Sequence, residues 1–74
     1  MNIIICGAGR VGFTIAKILS EQGHSITVID QSSEDIKKID DTLDVKSIVG
    51  KATYPSILEI VKPTLPAPQI IIFI

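Results

Sequence analysis

Gly7-Ala8-Gly9-Arg10-Val11-Gly12 is the stretch of this chain whose residue types and spacing are best suited to hold a ligand. It reads G-x-G-x-x-G, and each glycine has its own mechanical reason. Gly7 permits a tight turn out of a strand. Gly9 carries no Cβ, so a diphosphate can approach the backbone, and Gly12 lets a helix lie close to a sheet. The amides of the first helical turn would then face the phosphates, with the helix dipole favouring their charge. Asp30 follows 18 residues after Gly12. A carboxylate at the end of a second strand accepts hydrogen bonds from the hydroxyls of an adenosine ribose and repels a 2′-phosphate. Gln31, Ser32 and Ser33 come next, so no arginine stands by to reverse that preference. The pattern favours NAD(H) over NADP(H), and ATP or ADP would satisfy the same contacts. The plainer reading is a glycine-rich turn that serves packing alone. It leaves the acid at the strand end unexplained.

The motif is short, and its weight comes from the elements around it. Residues 1–6 form an apolar run that predicts a strand buried on both faces. Residues 10–22 predict a helix with Val11, Ile15, Ile18 and Leu19 as its apolar stripe, closed by Gly23. Residues 26–30 predict the second strand. Ser32 or Ser33 caps a second helix that turns Ile36, Ile39 and Leu43 inward and leaves Glu34, Lys37 and Lys38 on a solvated face. Residues 45–49 predict a third strand, residues 50–53 a loop, and Pro55 opens a short helix that stops before Pro63. An extended connector leads to a fourth strand over 69–74. The order β-α-β-α-β-α-β predicts an α/β fold: a Rossmann-like, partial doubly wound parallel sheet with strand order 3-2-1-4.

Ligands of such sheets sit where the strand order reverses, between the first and fourth strands. Phe73 and Ile74 are therefore expected to line the crevice, and the loop ending at Thr53 to lie near an adenine. Thr53 reads equally as the cap of the helix that follows. Arg10 also reads two ways, as a lid over the diphosphate or as a solvated cation. Cys6 reads as packing, and His24 has no second ligand nearby for a metal.

Composition narrows the classes further. The 74 residues are 46% hydrophobic and 20% charged, with 16 isoleucines, which suits one small packed domain rather than a disordered segment. Seven basic and eight acidic residues leave a net charge of −1, and Lys37-Lys38 is the only adjacent basic pair, so no nucleic-acid surface is expected. A single cysteine excludes an internal disulfide. The apolar run 70–74 is far short of the ~20 residues of a membrane span, so the chain is expected to be soluble and cytoplasmic, without direct membrane insertion.

The motifs together resemble a known family. Ile3-Ile4-Ile5-Cys6 with the glycine motif, Val28-Ile29-Asp30-Gln31, Asp41-Thr42-Leu43-Asp44-Val45 and Val49-Gly50-Lys51-Ala52-Thr53-Tyr54-Pro55 are similar to the N-terminal nucleotide-binding domain of TrkA-type potassium-uptake proteins, the RCK or KTN domain. The glycine motif is generic, whereas the Thr-Leu-Asp-Val and Gly-x-Ala-Thr stretches are more specific. The resemblance implies a non-enzymatic regulatory subunit that binds NAD(H), and in some members ATP or ADP. It implies assembly on a potassium-translocating membrane subunit, peripheral to the inner face of the cell membrane. It carries nucleotide contacts over to Gly7, Gly9, Arg10, Val11, Gly12, Asp30 and Thr53. With their neighbours Ala8 and Gln31, and with Phe73 and Ile74, these make the candidate site.

The match weakens after Val61, where Pro63-Thr64-Leu65-Pro66 is atypical, and a family domain is considerably longer. The chain is thus expected to be a shortened single unit over 1–74. Its last strand would be an apolar edge that pairs with a second copy or with the second half of the fold. The competing readings are the cofactor-binding half of an NAD-dependent dehydrogenase, for which no catalytic acid or base is evident, and a remnant without function.

Overall fold

The computed structural model describes residues 2–51 and 69–74. They form, in chain order, β1 (Asn2–Cys6), α1 (Arg10–Glu21), β2 (Ser25–Asp30), α2 (Ser33–Thr42), β3 (Lys46–Val49) and β4 (Gln69–Phe73). The sheet is entirely parallel in the order β3-β2-β1-β4, as the alternation of strand and helix predicts. The predicted helix at Pro55, the connector after it and Thr53 lie outside the described residues.

Isoleucine and valine explain why the middle of the sheet holds. Ile3, Ile5, Ile26 and Val28 point to one face and bury against Ala16 of α1 and Ile36 and Ile39 of α2. Both described helices therefore cover the same face, as right-handed crossovers in one direction require. The alternate residues Ile4, Cys6, Thr27 and Ile29 are buried as well. A strand buried on both sides has no use for polar alternation, which is why β1 reads as a continuous apolar run. Each such isoleucine contributes about 1.5–3 kcal/mol by leaving water.

The helix ends follow local chemistry. Gly23, with φ +87°, closes α1: its N–H donates to the Ser20 carbonyl at 3.1 Å, and the His24 N–H donates to the Leu19 carbonyl at 3.3 Å. Ser32, not Ser33, caps α2, its hydroxyl accepting the Asp35 N–H at 3.3 Å.

The inward face of α1 differs from the expected stripe. Val11 and Ile18 are 56% and 49% exposed, while Gly12 and Ala16 are buried at the sheet with Phe13, Ile15 and Leu19 packed around them. Small residues let the helix axis come close to the strands, and close approach decides which side faces in. Bulky residues to one side of that line stay outside.

Three main-chain bonds carry the ladder past the strand ends. Gly7 N–H donates to the Ile29 carbonyl at 2.8 Å, Gly50 N–H to the Asp30 carbonyl at 2.8 Å, and Ile74 N–H to the Cys6 carbonyl at 3.0 Å. The loops after β1, β2 and β3 therefore leave the carboxyl edge of the sheet side by side, and Ile74 joins them.

Candidate functional site

The glycine loop separates into two structural positions and one open one. Gly7 leaves β1 with φ +132°, a conformation that side chains rarely adopt, and a Cβ there would press within 3.2 Å of the Ile74 Cβ. Gly12 lies against the loop itself: a Cβ would collide with the Gly7 carbonyl oxygen and stand 2.8 Å from its carbon. Both positions need glycine for the fold. Gly9 is different. Its backbone, φ −73° and ψ −163°, suits any residue, and no atom lies within 4 Å of where a Cβ would stand. The space in front of Gly9 is open, and packing does not account for the missing side chain.

Gly9 is also the N-cap of α1. It offers no side-chain acceptor, and no acidic residue stands in the first turn. The first-turn amides have no partners further back in the helix, so this end keeps donors and a partial positive charge for an anion. Arg10, exposed at the first helical position, adds a full positive charge beside them.

Asp30 closes β2 directly across from this loop. Its Oδ2 accepts the Ala8 N–H at 2.8 Å, and its Oδ1 accepts the Ser32 N–H at 2.8 Å. These amides, Ser32 foremost and then Ala8, with Gln31 adding a smaller share, hold the carboxyl below the usual carboxylate range, and partial burial opposes them only in part. The group is ionised at neutral pH. The sequence placed this acid at a strand end, and the structure places it on the glycine loop.

A crevice of about 170 Å³ opens beside it, lined by Cys6, Gly7, Ile29, Asp30, Gln31 and Ile74. It sits at the carboxyl ends of β1, β2 and β4, where the strand order reverses. Gln31 and Ile74 thus join Gly7 and Asp30. Phe73 does not line this crevice: it pairs laterally with Cys6 and is 58% exposed. Val11 points outward from the first turn of α1.

A family model described as the TrkA-N domain matches residues 3–64. The chain belongs to the TrkA-N domain family. Among curated relatives it is 40% identical over 58 residues to the Trk system potassium uptake protein TrkA of Azorhizobium caulinodans, covering 78% of this chain and 13% of that protein. It is 38% identical over 58 residues to the protein of the same name from Halomonas elongata, again 78% and 13%. Against the Trk system potassium uptake protein TrkA homolog of Pyrococcus abyssi it is 37% identical over 59 residues, covering 80% and 26%. The chain thus spans between about an eighth and a quarter of the length of these relatives.

This TrkA-N domain has a second cleft that the sequence reading missed. About 280 Å³ lies between the starts of the two helices, lined by Ala8, Gly9, Arg10, Phe13, Thr14, Asp35 and Lys38. The sequence assigned Lys38 to a solvated face. Helical periodicity tells which side meets the sheet, but not which side meets a neighbouring helix. The bond to Ala8 was equally invisible, because a main-chain amide has no residue type. Cys6 is buried, and burial pushes its thiol up, away from the reactive thiolate. No helix among the described residues is long and apolar enough to cross a membrane.

Proposed function

We propose that this TrkA-N domain binds NAD(H) at the carboxyl edge of its sheet and acts as a non-enzymatic regulatory element of a Trk-type potassium uptake system. The observation that supports this most is the 2.8 Å bond between the Asp30 carboxylate and the Ala8 amide. In this reading it brings a ribose acceptor beside a diphosphate cradle.

The diphosphate would rest against Gly9 on the first-turn amides of α1, with Arg10 over it. The adenosine ribose would meet Asp30, whose oxygens each keep further lone-pair directions for the two hydroxyls. Gln31 and Ile74 would flank the sugar. The nucleotide, when bound, supplies a charged ligand whose oxidation state reports on metabolism. This chain's residues bind and orient it. ATP and ADP meet the same contacts and compete in this reading.

Relatives carry the name Trk system potassium uptake protein, which supports a potassium-translocating membrane subunit as partner and a place at the inner face of the cell membrane. The edge position of β4 supports assembly. Among the described residues the strand pairs with β1 alone, and Ile70 and Phe73 are 42% and 58% exposed, an apolar edge suited to a second copy or a further strand of the fold.

Titration calorimetry with NADH, NADPH, ADP-ribose and ATP tests the reading. NADH should bind at least ~10-fold more tightly than NADPH, because a 2′-phosphate would face the Asp30 carboxylate, and Asp30→Ala should cost NADH a comparable factor. Equal affinity for NADH and NADPH, or an Asp30→Ala chain that binds NADH as before, would overturn it.

A further inference from the structure

Each oxygen of the Asp30 carboxylate is already in use within the chain itself. One takes the Ala8 N–H from 22 residues away, and the other takes the Ser32 N–H. Ala8 is buried and sits between two glycines, Gly7 with positive φ and Gly9 with nothing around its Cβ direction. A Gly-Ala-Gly loop has much backbone freedom to lose and little side chain to hold it. It is fastened to β2 by two bonds in a row, from Gly7 N–H to the Ile29 carbonyl and from Ala8 N–H to the Asp30 carboxylate. Only the second depends on a side chain. Ser32 in turn caps α2 through Asp35 N–H, so a single carboxylate ties the phosphate loop to the start of the second helix.

We propose that Asp30 is a positioning residue for the glycine loop, holding residues 7–9 in their phosphate-receiving shape before any nucleotide arrives. It follows that losing Asp30 weakens the binding of a diphosphate that carries no ribose. The ligand half of this statement rests on the nucleotide reading above, and the fastening itself does not.

Electrostatics alone predicts the opposite sign. Removing a negative charge beside an anion site should tighten inorganic pyrophosphate. Loss of a positioning group should loosen it.

The experiment is amide hydrogen exchange by NMR on the nucleotide-free chain, with Asp30→Ala and Asp30→Asn, followed by pyrophosphate titration. In Asp30→Ala the amides of Ala8 and Ser32 should exchange roughly 10- to 100-fold faster, the range expected for losing a bond to a charged acceptor. The amides of Ile4 and Val28 at the sheet centre should keep their protection, which shows that the fold persists. Asp30→Asn keeps one acceptor oxygen and should free one amide only, and it carries the test if the alanine variant does not fold. Pyrophosphate should bind Asp30→Ala several-fold more weakly. Unchanged exchange at Ala8 in both variants, or tighter pyrophosphate binding, would overturn the proposal. If Ala8 exchange accelerates but the unaltered chain ignores NADH, the nucleotide reading fails and the fastening stands. If NADH binds and Ala8 exchange is unmoved, the reverse holds.

Discussion

The starts of the two helices are built on opposite plans. α2 is finished by its own residues: Ser32 accepts the Asp35 N–H, and Glu34 and Asp35 place negative charge in the first turn. α1 has none of this. Its cap is Gly9 without a side chain, its first turn holds no acid, and Arg10 stands where a cation opposes the helix dipole. Two helices of similar length in one small fold show that this chain can cap a helix well. Leaving one end bare makes sense when something outside the chain completes it. An anion in the open space before Gly9 would satisfy the amides, the dipole and Arg10 together.

That contrast can be broken or sharpened by substitution. The largest effect is expected at Gly12, which has no counterpart at the start of α2. Gly12→Ala drives a Cβ into the Gly7 carbonyl, so loop and helix must part, at about 2–3 kcal/mol of stability. Urea unfolding would show a lower midpoint, and NADH binding should fall with it. An unchanged midpoint would mean that the loop and helix are not pressed together as described.

Next comes Gly9→Asp, which gives α1 the kind of cap that α2 already has. The side chain has room, so stability should hold or rise by a few tenths of a kcal/mol. NADH affinity should drop roughly 100-fold or more, because a carboxylate now faces the diphosphate. Calorimetry and urea melts on the same sample separate the two. Retained affinity would show that the open end of α1 is not an anion site.

Ser32→Ala makes α2 resemble α1. It should cost about 1 kcal/mol in a urea melt while leaving NADH affinity within about twofold, since the Ser32 N–H that Asp30 uses is main chain. A large loss of affinity would mean that the cap of α2 belongs to the binding site.

Acid gives the smallest effect. The folded chain holds the Asp30 carboxyl lower than the unfolded chain does, so its stabilisation is complete above the ordinary carboxylate range. It is lost as pH falls through the depressed folded value. Thermal melts of the unaltered chain and of Asp30→Asn, compared from pH 6 downward, should converge as the solution becomes acidic. Parallel curves would remove Asp30 from the acid response.

Much of this arrangement was readable from residue order alone. The strand order and the glycine end of α1 follow from alternating apolar runs, a 3.6-residue period and Gly23 at a helix terminus. The pairing of a glycine loop with an acid 18 residues later was legible too, because parallel neighbours β1 and β2 bring both strand ends to one edge. Periodicity misplaced Val11 and Ile18, since it weighs hydrophobicity and cannot weigh how near Gly12 and Ala16 let the helix come. It also put Phe73 beside Ile74 in the crevice, where Ile74 lines the wall and Phe73 stays exposed beside Cys6.

Residue types and their spacing determined the class of fold, the place of the glycine loop at the carboxyl edge of the sheet and the sign of the charge set beside it, because these depend on local conformation and on neighbours along the sheet. Three-dimensional packing decided the rest. It made Gly7 and Gly12 indispensable to the fold while Gly9 stayed open, joined Asp30 to a main-chain amide that no residue name reveals, and opened a cleft between two helix starts. Those outcomes turn on distances of a few ångströms between segments far apart in the chain, and such distances exist only once the sheet has brought the segments together.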